Sequence, residues 1–101
     1  MKYNIRFVDE IEDDLLDSYQ WYRSKSSKLG MGMLDEVYDK FDKVAAAPQI
    51  YQKVFKEFRR ALLNRYPLSV YYLVEDNFVV IYGVFHNRQD PRYIETLLSN
   101  R

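Results

Sequence analysis

The 101 residues include no cysteine, a single histidine, three glycines and three prolines. Each shortage excludes something. Without cysteine there is no disulfide framework and no thiolate nucleophile, which fits a reducing cytoplasm, the expected location. One His without Cys leaves few ligands for a transition metal, so neither a metal nor a cofactor is expected. Gly30 and Gly32 stand near a helix start without Walker or Rossmann spacing, so no phosphate-cradling loop is expected. No apolar segment follows the N-terminal Met1-Lys2-Tyr3-Asn4 as a signal peptide would require. The longest apolar run, Phe78 to Phe85, has strand length and not membrane-span length, and no membrane partner is expected.

What is present is a core. Hydrophobic residues make up 48% and aromatic residues 17%, with ten Tyr, too apolar a composition for a disordered chain. The length suits one domain over residues 1–101 that buries roughly two-thirds of its unfolded surface. Net charge is zero but uneven. Residues 1–50 carry 7 Lys/Arg against 10 Asp/Glu, a net −3, and residues 51–101 carry 8 against 5, a net +3. Such a molecule can offer a basic face to an acidic partner without binding polyanions in general.

Hydrophobic periodicity gives the elements. Tyr3, Ile5 and Phe7 alternate with Lys2, Asn4 and Arg6, predicting a half-buried strand over 2–8. Asp9 followed by Glu12 reads as a capping box opening a helix from about Glu10 to Arg23, with Asp13, Asp14 and Asp17 on its solvated face. After a polar link, Ser24 to Lys28, a second helix runs from about Leu29 to Ala47 on a stripe of Leu34, Val37, Phe41 and Val44, and Pro48 ends it. Glu36–Lys40 and Asp39–Lys43 are spaced as i,i+4 ion pairs. Gln49 to Glu57 reads as a loop leading into a strand. Strands follow over 58–66, 68–74 and 78–85, the last two joined by a tight turn at Glu75-Asp76-Asn77. Val80 and Val84 join the core list. Asp90-Pro91 opens a short final helix that docks Tyr93, Ile94, Leu97 and Leu98. The order β-α-α-β-β-β(-α) predicts an α+β fold, a helical hairpin packed on a mostly antiparallel sheet.

The functional candidates gather where apolar strands end in polar, basic loops. Arg59, Arg60, Arg65, Arg88 and Arg92 are candidates for binding a partner or nucleic acid, since Arg pairs bidentately with phosphate or carboxylate. His86 is the one side chain whose reference pKa lies near neutrality, and with Arg88 and Tyr93 it forms the candidate catalytic set if the chain cleaves RNA. The competing reading is that His86 caps a strand and the arginines make surface ion pairs.

Taken together, Asp17-Ser18-Tyr19-Gln20-Trp21-Tyr22, Ala47-Pro48-Gln49-Ile50-Tyr51, Arg59-Arg60-Ala61-Leu62-Leu63-Asn64-Arg65-Tyr66-Pro67 and Val84-Phe85-His86-Asn87-Arg88-Gln89-Asp90-Pro91 resemble the RelE/ParE superfamily of bacterial type II toxins, also called plasmid-stabilisation proteins. The resemblance is closer to ParE-like members. It implies a growth-inhibiting toxin neutralised by a cognate antitoxin, in a homodimer or a toxin–antitoxin heteromer. ParE-like members act on DNA gyrase without catalysis, whereas RelE-like members are metal-independent endoribonucleases that cleave mRNA on the ribosome. A third possibility is a non-toxic relative that only binds its antitoxin. The resemblance places Ser69 where ribonuclease members carry a functional arginine, while Arg88 keeps the second basic position.

Overall fold

The computed structural model describes residues 2–101. Strand β1 (Asn4–Phe7) leads into helices α1 (Ile11–Lys25) and α2 (Ser27–Ala46). Strands β2 (Lys53–Phe55), β3 (Phe58–Leu62), β4 (Leu68–Glu75) and β5 (Phe78–His86) follow, and helix α3 (Pro91–Asn100) closes the chain. The five strands lie in the order β1-β5-β4-β3-β2, with β1 parallel to β5 and every other pair antiparallel. The expected α+β architecture is therefore found, with one strand more than the sequence indicated. β2 lies within the segment read as a loop. It pairs with β3 across the two-residue turn Lys56-Glu57, where Lys56 takes a φ of 50° without any glycine or asparagine to signal it.

The helical hairpin is tighter than predicted. No five-residue link separates the helices; Ser26 alone breaks them, with extended φ and ψ of −167° and 150°. Its backbone N–H donates to the Tyr22 carbonyl, closing α1, and its Oγ accepts from the Leu29 N–H at 3.0 Å, capping α2. Gly30 sits where an added Cβ would meet Tyr19 and Arg23 at 3.1 Å, so the close approach of the two helices needs its missing side chain. At the other end of α1, Asp9 forms no capping box: the cap residue is Glu10, in helical conformation and without a side-chain cap bond.

The hairpin covers one face of the sheet and α3 the other. Met33, Val37, Phe41 and Val44 from α2 are buried with Ala61, Leu68, Val70, Tyr72, Val79, Ile81 and Val84, and Leu34 packs against them half-buried. On the opposite face Ile94 and Leu98 of α3 close over Phe58, Tyr71 and Phe85. Tyr93 does not dock; it points outward and is 54% exposed. Two expectations fail for local reasons. Val80 is only half-buried and Val79 takes its place in the core. A bulge lies between: Tyr71 pairs with Gly83 but Tyr72 with Ile81, so Tyr82 is extra and the alternation along β5 changes parity. The ring of Phe85 lies against Gly83, in the space a Cβ would need. Of the two ion pairs, Asp39–Lys43 forms at 3.1 Å. Glu36 instead accepts from the backbone N–H groups of Asn64 and Arg65, at 2.6 and 3.1 Å, and Lys40 lies buried near the Tyr51 ring.

Candidate functional site

β3 divides the arginines. Arg59 faces the hairpin side, and its Nη1 donates to the carbonyls of Gln49 at 3.2 Å and Tyr51 at 2.6 Å, tying down the segment after α2. Beneath it, the Tyr72 hydroxyl donates to the Pro48 carbonyl at 2.6 Å, and burial pushes that phenol far above its ordinary pKa. Arg60 points to the other face, into a shallow cleft with Tyr71, Asn87 and Gln89 beside α3. Arg65 rides on the 63–67 loop that Glu36 holds by its backbone. Arg88 and Arg92 are exposed at the entry to α3, where Asp90 accepts from the Arg92 N–H at 2.9 Å. The five basic candidates thus lie on several surfaces and do not form one basic face.

Two members of the candidate catalytic set share a cleft; the third stands beside it. His86 Nδ1 accepts from the Arg88 backbone N–H at 3.1 Å, which fixes the imidazole with its Nε2 edge free. His86 and Tyr93 line a cleft of about 300 Å³ together with Glu10, Asp13, Asp14 and Asp17. This surround is acidic. Arg101 is the one cation in the lining and is paired to Asp14, so a phosphate placed between His86 and Tyr93 would meet an excess of carboxylates. Ser69 is fully buried, with its Oγ at 2.5 Å from Asn87 Oδ1. The position the resemblance assigns to a functional arginine is therefore inside the fold.

Sequence reasoning placed Asp14 on a solvated face. In the structure it packs against Arg101, each side chain only 10% exposed. Asp14 accepts from Arg101 Nη1 at 2.7 Å and Nη2 at 2.9 Å, and also from the Val84 N–H at 3.1 Å; Arg101 Nη1 donates to the Tyr82 carbonyl at 2.9 Å. The hydrogen bonds to Asp14 hold the Arg101 guanidinium above its usual pKa, outweighing burial. No local pattern marks this pair, since 87 residues separate its members. A second region escaped the sequence reading as a unit. Tyr22 stacks edge-on against Trp21 at 4.9 Å and Tyr66 at 5.0 Å, and Lys25 Nζ lies 5.0 Å from the Trp21 ring centre. The Tyr66 hydroxyl donates to the Leu29 carbonyl at 2.8 Å across Gly32, where a Cβ would meet that oxygen at 2.6 Å. Burial, and then the neighbouring Tyr66, raise the Tyr22 pKa.

Among the described residues no three His, Asp or Glu side chains are grouped as a metal site, and no helix is long and apolar enough to cross a membrane.

A family model described as the ParE toxin of the type II toxin–antitoxin system, parDE, matches residues 5–91. Toxin ParE2 of Mycobacterium tuberculosis strain H37Rv is 24% identical over 106 residues, spanning 100% of this chain and 97% of the relative. Among solved structures, the chromosomal ParDE system of Pseudomonas aeruginosa superposes with a TM-score of 0.75 at 12% identity, over 84% of this chain and 96% of that one. A free mutant form of the Escherichia coli toxin RelE gives 0.65 at 19% identity, over 94% of each. The toxin–antitoxin complex RelBE2 of Mycobacterium tuberculosis gives 0.54 at 16% identity, over 85% of this chain and 99% of that one.

Proposed function

Because the chain belongs to the ParE toxin family of type II toxin–antitoxin systems, we propose that it arrests growth by binding DNA gyrase, as a protein ligand without a catalytic centre, and that a cognate antitoxin neutralises it. The observation that carries this choice is the acidic cleft around His86 and Tyr93. Phosphodiester cleavage needs cations where charge develops on the phosphorus oxygens, and that electrostatic contribution is usually the largest one in catalysis. Here the candidate acid and base face Glu10, Asp13 and Asp17, the one guanidinium of the cleft, Arg101, is taken up by Asp14, and Ser69 offers no charge from β4. The molecule is built to present surfaces and not to assemble a phosphate site.

The ribosome-dependent ribonuclease reading is favoured by one contact. The Arg88 backbone N–H donates to His86 Nδ1, which sets the residue next to the imidazole, and RNA binding would have to bring its exposed side chain over the cleft. Two assays separate the readings. Purified gyrase titrated with the chain should lose supercoiling activity. A reconstituted translation reaction should keep its mRNA intact; new message ends at ribosomal A sites, lost in Arg88→Ala, would establish the nuclease instead.

A further inference from the structure

A separate cleft of about 440 Å³ lies where β1 runs out against the base of the helical hairpin, between the strand end, the first turn of α1 and the later turns of α2. Three aromatic rings wall it. Phe41 meets Phe7 at 5.3 Å and Tyr38 at 5.8 Å between ring centres, with interplanar angles of 63° and 79°. Phe41 and Ile11 are buried, but Phe7 and Tyr38 stand 49% and 53% exposed. Two large rings thus stand half in water at the mouth of an apolar cleft.

The charge of this lining is of one sign. Asp9 and Glu12 contribute two carboxylates, and no Lys or Arg takes part. Among the described residues neither carboxylate enters an ion pair. The cations of β1 and its lead-in are engaged elsewhere, Lys2 with Asp42 at 3.3 Å and Arg6 over the Phe78 ring at 3.7 Å. Aromatic rings attract a weakly hydrated organic cation through their quadrupoles, and they reward an alkyl body with burial. Carboxylates at the rim select the sign of the charge. A hard metal ion asks for six or more oxygen ligands, which two carboxylates among aromatic rings do not supply.

We propose that this cleft binds a small aliphatic ammonium ligand, with its alkyl body against Phe7, Tyr38 and Phe41 and its charged nitrogen at Asp9 and Glu12. The volume is ordinary for a small-molecule site. The lining shares no residue with the two clefts that His86 enters. The site is therefore independent of the growth-arrest reading, and its failure would leave that reading untouched.

The test is calorimetric titration of the whole chain with hexanediamine at neutral pH, with the Tyr38 ring resonances followed by NMR. Hexanediol supplies the same body without charge, magnesium chloride supplies charge without the body, and acetyl-lysine methylamide supplies the ammonium on a peptide. The proposal expects saturable one-to-one binding of the diamine with the Tyr38 resonances moving, and no binding of hexanediol or magnesium at the cleft. Tyr38→Ala and the double variant Asp9→Asn with Glu12→Gln should each weaken binding about tenfold with circular dichroism unchanged. Asp17→Asn, in the His86 cleft, should leave binding unaltered. Should Tyr38→Ala lose its dichroism, the double variant carries the test alone. Absence of saturable binding, equal binding of hexanediol or magnesium, or a neutral result from a folded cleft variant overturns the proposal. Saturation by acetyl-lysine methylamide without saturation by the diamine overturns the free ligand and gives the cleft to a lysine of a protein partner.

Discussion

Beyond Ile81 the outer edge of β5 loses its neighbour, because β1 has already ended at Phe7. Two backbone groups left open there are met by side chains: Asp14 takes the Val84 N–H and Arg101 takes the Tyr82 carbonyl. The pair thereby stands in for a strand and joins α1, β5 and the residue following α3. Removing one member leaves the other charge largely out of water without its partner, a loss that approaches the roughly 3 kcal/mol of a broken buried pair. Arg101→Ala should accordingly lower the urea midpoint by far more than substitution of an exposed arginine such as Arg92, and equal midpoints would show the pair to be dispensable. Tyr72 gives a pH dependence. Its folded pKa is raised above the ordinary 10.0 because burial disfavours the phenolate. Stability from that neutral phenol is complete below pH 10.0 and is lost as pH rises above it, when the unfolded chain ionises first. Tyr72→Phe should cost about 1–3 kcal/mol near neutrality by leaving the Pro48 carbonyl unpaired. It should also show a shallower fall in stability through the alkaline range than the parent, and parallel falls would contradict this role.

At the scale of elements, the pattern of the chain carried most of the fold. The α2 stripe of Val37, Phe41 and Val44, the Asp90-Pro91 helix start and the tight turn after Glu75 were all legible, because each depends on residues within one or two turns of chain. What was not legible depends on partners far away or on backbone irregularity. A strict period of two along β5 nominates Val80, but the bulge at Tyr82 puts Val79 and Ile81 on the face of Val84. Val79→Ala should therefore destabilise by about 2 kcal/mol and Val80→Ala by clearly less, measured by chemical denaturation; the reverse order would mean the bulge is misplaced. β2 was hidden because Lys56 takes a left-handed φ without the residue types that announce it. Glu36 had a helical partner in Lys40 by spacing, yet two unsatisfied backbone N–H groups of the 63–67 loop compete for it and win. That exchange ties α2 to the loop carrying Arg65, and so shapes the hairpin tip.

For the whole molecule, the opposite net charges of the two halves do not become two faces. Folding interleaves them: the acidic residues of α1 lie against the polar end of β5, and Arg65 reaches the hairpin tip. This is why a basic cluster read along the sequence is spread over several surfaces in space, and why the sequence could name His86, Arg88 and Tyr93 as candidates but not the acidic setting of the cleft. Among the described residues the basic candidates form no continuous cationic track of the kind a nucleic acid backbone favours. The central claim is that it stops growth by binding gyrase and not by chemistry. Its most direct test is a supercoiling assay in which relaxed plasmid, ATP and purified gyrase are titrated with the chain, with and without excess antitoxin. The account predicts that supercoiled product disappears as the chain approaches the gyrase concentration and returns when antitoxin is added. Undiminished supercoiling at saturating concentrations of the folded chain would contradict it.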